Sequence, residues 1–142
     1  MARIDFYILG QSGEQARQTF ACRLAEKAYR LDNTVHIHTD SKATAERIDE
    51  LLWTFRDGSF VPHHLVGRAQ QDLASPVTIG FDADDVEPRD LLINLGDAIP
   101  KCSDAFPRVA ELVTSDEDCK QRSRKRFAEY REQGHQLETH KV

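Results

Sequence analysis

The first 55 residues alternate between two hydrophobic periods, and that alternation leaves few architectures open to the chain. Ile4 to Leu9 is a short, largely apolar strand that ends at Gly10-Gln11-Ser12-Gly13. From Glu14 to Leu31 the period becomes helical, with Ala16, Phe20, Leu24, Ala25 and Ala28 on one side, and Asp32-Asn33 then turns the chain. Val35 to Thr39 reads as a second strand. Asp40-Ser41 caps a helix that runs to about Phe55, on which Ile48, Leu51, Leu52 and Phe55 fit helical spacing. Strand, helix, strand and helix with connections this short are the pattern of βαβ units, whose parallel strands are joined by right-handed crossovers.

Further along, Val77 to Phe81 and Leu91 to Leu95 supply two more strands, and Arg108 to Val113 a last one. Between them, Val66 to Pro76 reads as a polar surface loop and Asp82 to Pro88 as an acidic excursion. Ser115 opens a final helix that runs to about Gln133, with Gly134 at its end, and residues 138–142 are expected to fray. The sum is one α/β domain over residues 1–142, a three-layer sandwich around a mostly parallel five-stranded sheet. It resembles a mononucleotide-binding fold without a working nucleotide site. A P-loop needs a lysine to reach the phosphates and a hydroxyl to hold magnesium, and Gly10-Gln-Ser-Gly13 is followed instead by Glu14-Gln15. The favoured reading of this turn is a helix cap.

Metal and redox chemistry find little support. His36 and His38 alternate on a strand and share a face, but no third or fourth ligand accompanies them; His63 and His64 are adjacent and diverge. Cys22, Cys102 and Cys119 are odd in number and far apart, which suits neither a disulfide framework nor a CxxC motif. No cofactor or metal is expected, and no hydrolase triad is evident. No apolar run approaches the roughly 20 residues that cross a bilayer, and the N-terminus lacks the long apolar region of a signal peptide, so the expected location is cytoplasmic. A net charge of −5 argues against a chain whose main task is gripping phosphates, while leaving room for a local basic patch.

Two stretches stand out. Leu52 to Leu65 holds the single tryptophan, Trp53, together with Phe55, Phe60 and Pro62 around the turn Asp57-Gly58. Trp53 and Phe60 either close the core at the sheet edge or form a rigid apolar partner surface. The final helix begins with the acids Asp116, Glu117 and Asp118 and then reverses sign in Lys120-Gln-Arg-Ser-Arg-Lys-Arg126. Lys120, Arg124, Phe127 and Arg131 fall on one stripe, and Arg122, Arg126 and Tyr130 follow a neighbouring course. Three readings stay open for this helix: a solvated face, a phosphate-binding face, or a pocket for an acidic peptide with an apolar end.

Leu52-Trp53, then six residues, then Phe60-Val61-Pro62-His63 resembles the signature of the chi subunit family of bacterial DNA polymerase III. The resemblance extends to Phe6-Tyr7-Ile8-Leu9, to Arg89-Asp-Leu-Leu-Ile-Asn-Leu95, and to Lys120-Gln121, Arg124, Arg126-Phe127 and Tyr130-Arg131. It implies a non-catalytic accessory subunit of the clamp-loader assembly, an adaptor in DNA replication. One partner is the acidic C-terminal tail of single-stranded-DNA-binding protein, at a site implied to comprise Val113, Lys120, Arg124 and Phe127. The other is the psi subunit, at a surface implied to include Trp53, Phe60, Val61 and Pro62. Phe127 stands where the family has a familiar tyrosine, and Arg122 and Lys125 make this helix more basic than the family pattern. The competing functions are direct single-stranded DNA binding by the basic helix and a degenerate nucleotide-binding domain.

Overall fold

The computed structural model describes residues 2–65, 75–81 and 89–142. The expected loop over 66–76 and the acidic excursion over 82–88 lie wholly or mostly outside them. The elements are β1 (Arg3–Ile8), α1 (Glu14–Arg30), β2 (Val35–His38), α2 (Lys42–Thr54), β3 (His63–Leu65), β4 (Val77–Gly80), β5 (Leu91–Asn94), a 3-10 turn (Lys101–Ala105), β6 (Arg108–Val113), α3 (Glu117–Glu132) and β7 (Gln136–Lys141).

Among the described residues the sheet has seven strands in the order β3-β4-β2-β5-β6-β1-β7, and every pairing is parallel. The expected five-stranded sheet is therefore extended at both edges. β3 is three residues long and carries two histidines, too short and too polar for a period to declare itself. β7 is the larger correction. Of residues 138–142, expected to fray, 138–141 belong to a strand in continuous register with β1, from Arg3 opposite Gln136 to Ile8 opposite Lys141, and the Val142 amide still donates to the Ile8 carbonyl. Gly134 makes the reversal at φ 86°, a left-handed conformation that favours glycine, and the Gln136 amide then donates to the Ala2 carbonyl.

Side chains of successive strand residues serve opposite faces. On one face α1 and α2 cover a core that includes Ala21, Cys22, Ala25, Ile37, Ile48, Leu52, Ile79 and Ile93. On the other, α3 and the 3-10 turn cover Ile4, Phe6, Leu92, Phe106, Val109 and Tyr130. Helices on both faces of a parallel sheet make the expected three layers. Cys22 is fully buried, and burial pushes its thiol up to about 12, which leaves it an inert packing residue.

Caps fix the helix positions. Ser41 caps α2 by accepting from the Thr44 amide. On α3 the cap position is Asp116 rather than Ser115, and the Asp116 carboxylate reaches away from its own helix. It accepts from the Gly13 amide at 2.8 Å and from the Thr114 hydroxyl at 2.8 Å. These bonds, led by the Gly13 amide, hold the Asp116 carboxyl below its ordinary range. The Ser115 amide donates to the Gln11 carbonyl. The turns after β1 and β6 are thereby fastened together. Arg17 on α1 adds a buried tie, its Nε donating to the Leu112 carbonyl at 3.1 Å.

Candidate functional sites

Where α3 crosses β6, β1 and β7 it leaves a groove of about 280 Å³, lined by Phe6, Ile8, Val113, Lys120, Ser123, Arg124, Phe127 and Thr139. The four residues implied by the family resemblance on this side of the molecule, Val113, Lys120, Arg124 and Phe127, thus meet in one place. Phe6, Ile8 and Val113 project from the α3 face of adjacent parallel strands, with Ile8 opposite Val113 in register. Phe127 packs on Phe6 with ring centroids 5.2 Å apart, and the Arg131 guanidinium lies 5.8 Å from the Phe127 centroid. Lys120 and Arg124 lie one helical turn apart. Among the described residues neither side chain enters a hydrogen bond or an ion pair. An apolar cleft beside two uncommitted cations suits a group that is apolar on one side and anionic on the other.

Four lining residues were not anticipated. Phe6 and Ile8 follow from the alternation of β1 once α3 is known to cover that face; Thr139 needed β7. Ser123 has no distinguishing signal within the basic run.

That run is less basic outside than its sequence suggests. Arg126 is buried, with Nε 3.0 Å from Glu111 Oε1, Nη1 donating to the Asp97 carbonyl at 2.8 Å and Nη2 donating to Ser123 Oγ at 3.1 Å. The other Glu111 oxygen accepts from the Tyr130 hydroxyl and from Asn94 Nδ2, each at 2.8 Å. Burial, then the Glu111 charge, pushes the Tyr130 phenol strongly up, so it stays a donor. Arg126 and Tyr130, placed by sequence on a second basic course, are therefore core residues. Arg122 turns aside to Asp97 at 3.4 Å. The surface cations left are those that border the groove and a few exposed neighbours.

The second stretch forms a separate surface on the opposite helical layer. Trp53 and Phe60 do not close the core: they are 54% and 62% exposed and pack on each other at 5.7 Å. Val61 takes the inward position and is fully buried in the α1/α2 core, so it is corrected from a surface residue to a packing residue; Pro62 is partly buried. In an extended segment only one of two neighbours can face outward, and here it is Phe60. The ring of His63 lies 4.7 Å from Trp53, its Nδ1 2.6 Å from the Val61 carbonyl and its Nε2 2.8 Å from the Asp49 carbonyl. It therefore fastens the end of α2 to the segment bearing Phe60. Arg56 bonds Glu26 of α1 at 3.0 Å, and the Ser59 hydroxyl donates to the same carboxylate, anchoring the intervening turn.

The Gly10–Gly13 turn spends one of its amides on the protein itself. The Gly13 amide, at the α1 N-terminus where a phosphate would be received, is taken by the Asp116 carboxylate. His36 and His38 do share a face, but among the described residues no three His, Cys, Asp or Glu side chains form a group that could hold a metal ion. No helix among them is long and apolar enough to cross a membrane.

Fold and surface together define a doubly wound α/β domain in which a carboxylate of the chain takes the cap amide of α1, and whose open features are an apolar groove with free cations and an exposed aromatic pair. Residues 1–138 match the family described as "DNA polymerase III chi subunit, HolC". Three proteins named DNA polymerase III subunit chi are similar along almost their whole length. The one from Pseudomonas aeruginosa is 41% identical over 100% of this chain and 98% of its own. That from Haemophilus influenzae is 37% identical over 97% and 96%, and that from Escherichia coli 31% identical over 98% and 97%. The chain belongs to the DNA polymerase III chi subunit family. The structure of T4 UvsW shares the fold with a TM-score of 0.67 at 9% identity; the match covers 99% of this chain and 41% of that one.

Proposed function

We propose that this chain is a non-catalytic adaptor of the DNA polymerase III clamp-loader assembly, working in the cytoplasm at the replication fork. Its α3 groove takes the acidic C-terminal tail of single-stranded-DNA-binding protein, and its Trp53/Phe60 surface takes the psi subunit. The observation that carries the reading is the pairing of an apolar cleft with two cations that have no internal partner. The tail's last aromatic side chain packs against Val113 and Phe127, Arg124 forks the terminal carboxylate, and Lys120 assists. Two modest contacts on one rigid body raise apparent affinity by roughly 100-fold or more when both sites are engaged.

Titration with a peptide ending in several aspartates, Ile, Pro and Phe, beside the same peptide amidated at its C-terminus, tests the groove. Binding is expected for the free acid and is strongly weakened by amidation. Arg124→Ala weakens the free acid about tenfold or more, ~1.4 kcal/mol. Equal binding of both peptides would remove the carboxylate fork. Binding of bare single strands in place of the peptide, with a steep salt slope, would assign the helix to phosphates instead.

The aromatic pair is tested separately. Trp53→Ala is expected to weaken psi binding by about 2 kcal/mol, in the manner of a buried interface anchor, while leaving tail-peptide affinity and thermal stability nearly unchanged. Psi binding as tight as in the wild type would exclude this face.

A further inference from the structure

Resting on the peptide reading of the groove, we infer that Ser123 is a third donor to the ligand's terminal carboxylate, and that Arg126 is the positioning residue that turns its hydroxyl proton towards the groove. Ser123 lines the groove although it is only 5% exposed. A guanidinium has donors and no acceptor, so the 3.1 Å contact from Arg126 Nη2 must end on a lone pair of Ser123 Oγ. Arg126 cannot easily turn away, because Nε is held by the buried Glu111 carboxylate and Nη1 by the Asp97 carbonyl. The Ser123 hydroxyl therefore has its oxygen engaged from the core side and its proton left to give. Among the described residues no acceptor takes that proton.

Lys120 and Arg124, three residues before and one after Ser123 on α3, offer only donors as well. This side of the groove thus presents three donors against a single remaining lone pair on Ser123 Oγ, which favours a group that accepts only. A carboxylate meets that condition; an amide, which also brings N–H donors, does not. The arrangement also polarises the hydroxyl: a cation donating to its oxygen makes its proton a better donor. A buried neutral donor adds geometric selection that two flexible surface cations lack.

The test pairs Ser123→Ala with the free-acid and amidated peptides. Alanine suits the helix interior and adds no bulk. The free acid is expected to lose about ten- to a hundredfold in affinity, the usual worth of one hydrogen bond to a charged partner, while the amidated form changes little. Ser123→Ala also takes an acceptor from Arg126, so a loss of general groove shape would weaken both peptides alike; that result, or no loss in either, overturns the inference. If the wild-type domain does not distinguish the two peptides, it is the carboxylate reading of the whole groove that fails. Ser123→Thr, which keeps the hydroxyl, should recover discrimination between the peptides.

Discussion

Replacing Arg126 by methionine destabilises the domain by about 3–5 kcal/mol, the cost of stripping one partner from a buried ion pair. Methionine roughly fills the space of the aliphatic stem, so the loss is electrostatic more than volumetric. Glu111 lies at the centre of the sheet with no solvent contact, and without the guanidinium its charge has only the Tyr130 hydroxyl and Asn94 amide as donors. The Asp97 carbonyl and the Ser123 hydroxyl lose their partner as well. Urea unfolding of the single variant, of Glu111→Gln, and of the double variant Arg126→Met with Glu111→Gln gives the coupling directly. The double variant should recover part of the loss, because a neutral amide in place of the stranded carboxylate removes the uncompensated charge. A single variant within about 0.5 kcal/mol of wild type, the range of an ordinary surface substitution, would mean that Arg126 is solvated and not part of the core.

The same network shows what could and could not be read from sequence. Arg108 to Val113 is legible as a strand, and its bounds agree with β6 because Val109, Ala110, Leu112 and Val113 are apolar on both faces, as a central parallel strand requires. Glu111 is the exception within that run. An acid in the middle of a buried strand demands a buried cation, and that demand was the available sign that one of the α3 arginines faces inward. Charge alone could not show it, since Arg126 sits in a run of cations that reads as a single face.

The sequence leaves Trp53 open between core and surface, and the stripe of α2 decides it. Ala45, Ile48 and Leu52 mark the buried stripe of α2, and Trp53 falls off that stripe. Phe60 and Val61 are harder, because alternation says that one faces in and one out without saying which. β7 left almost no signal. Its sequence Gln-Leu-Glu-Thr-His-Lys is polar because it is an edge strand with mostly exposed side chains, and its register is set by backbone pairing to β1 rather than by an apolar period. Thr139 and the outer limit of the groove were hidden with it. The free cations of the groove were visible as residue types, but their lack of internal partners is a property of the folded surface.

Acid should destabilise the domain well above the pH at which its carboxylates titrate, and His36 is the reason. Its ring is fully buried on β2, with Nδ1 2.8 Å from Thr78 Oγ1 and Nε2 facing no partner among the described residues. Thr78 Oγ1 lies 3.4 Å from the Val35 carbonyl, to which it donates, so its oxygen accepts from Nδ1–H, and the neutral ring carries its one proton there. Burial, reinforced by His38 and Arg89, depresses its pKa from 6.5 to about 3. The unfolded chain therefore takes up a proton below pH 6.5 that the folded chain refuses until about pH 3. Stability is level with respect to this group above pH 6.5 and falls as pH drops through that window, by about 1.4 kcal/mol per unit and several kcal/mol in all. Asp5 acts in the same direction but lower down. Burial opposes its ionisation, yet His140, Arg108 and Arg3 outweigh that and hold it below its ordinary 3.8, so its contribution is lost only in stronger acid. Between pH 6.5 and 4 the slope thus belongs chiefly to His36, with a smaller share from His64, whose pKa burial and the nearby Arg89 also lower. Urea unfolding of wild type and His36→Gln at intervals across this range separates the two terms: the variant keeps a donor for Thr78 but has no group to protonate. Its stability should fall much less steeply with acid, and curves that run parallel would show that His36 is protonated in the folded domain and that the β2 face is open to water.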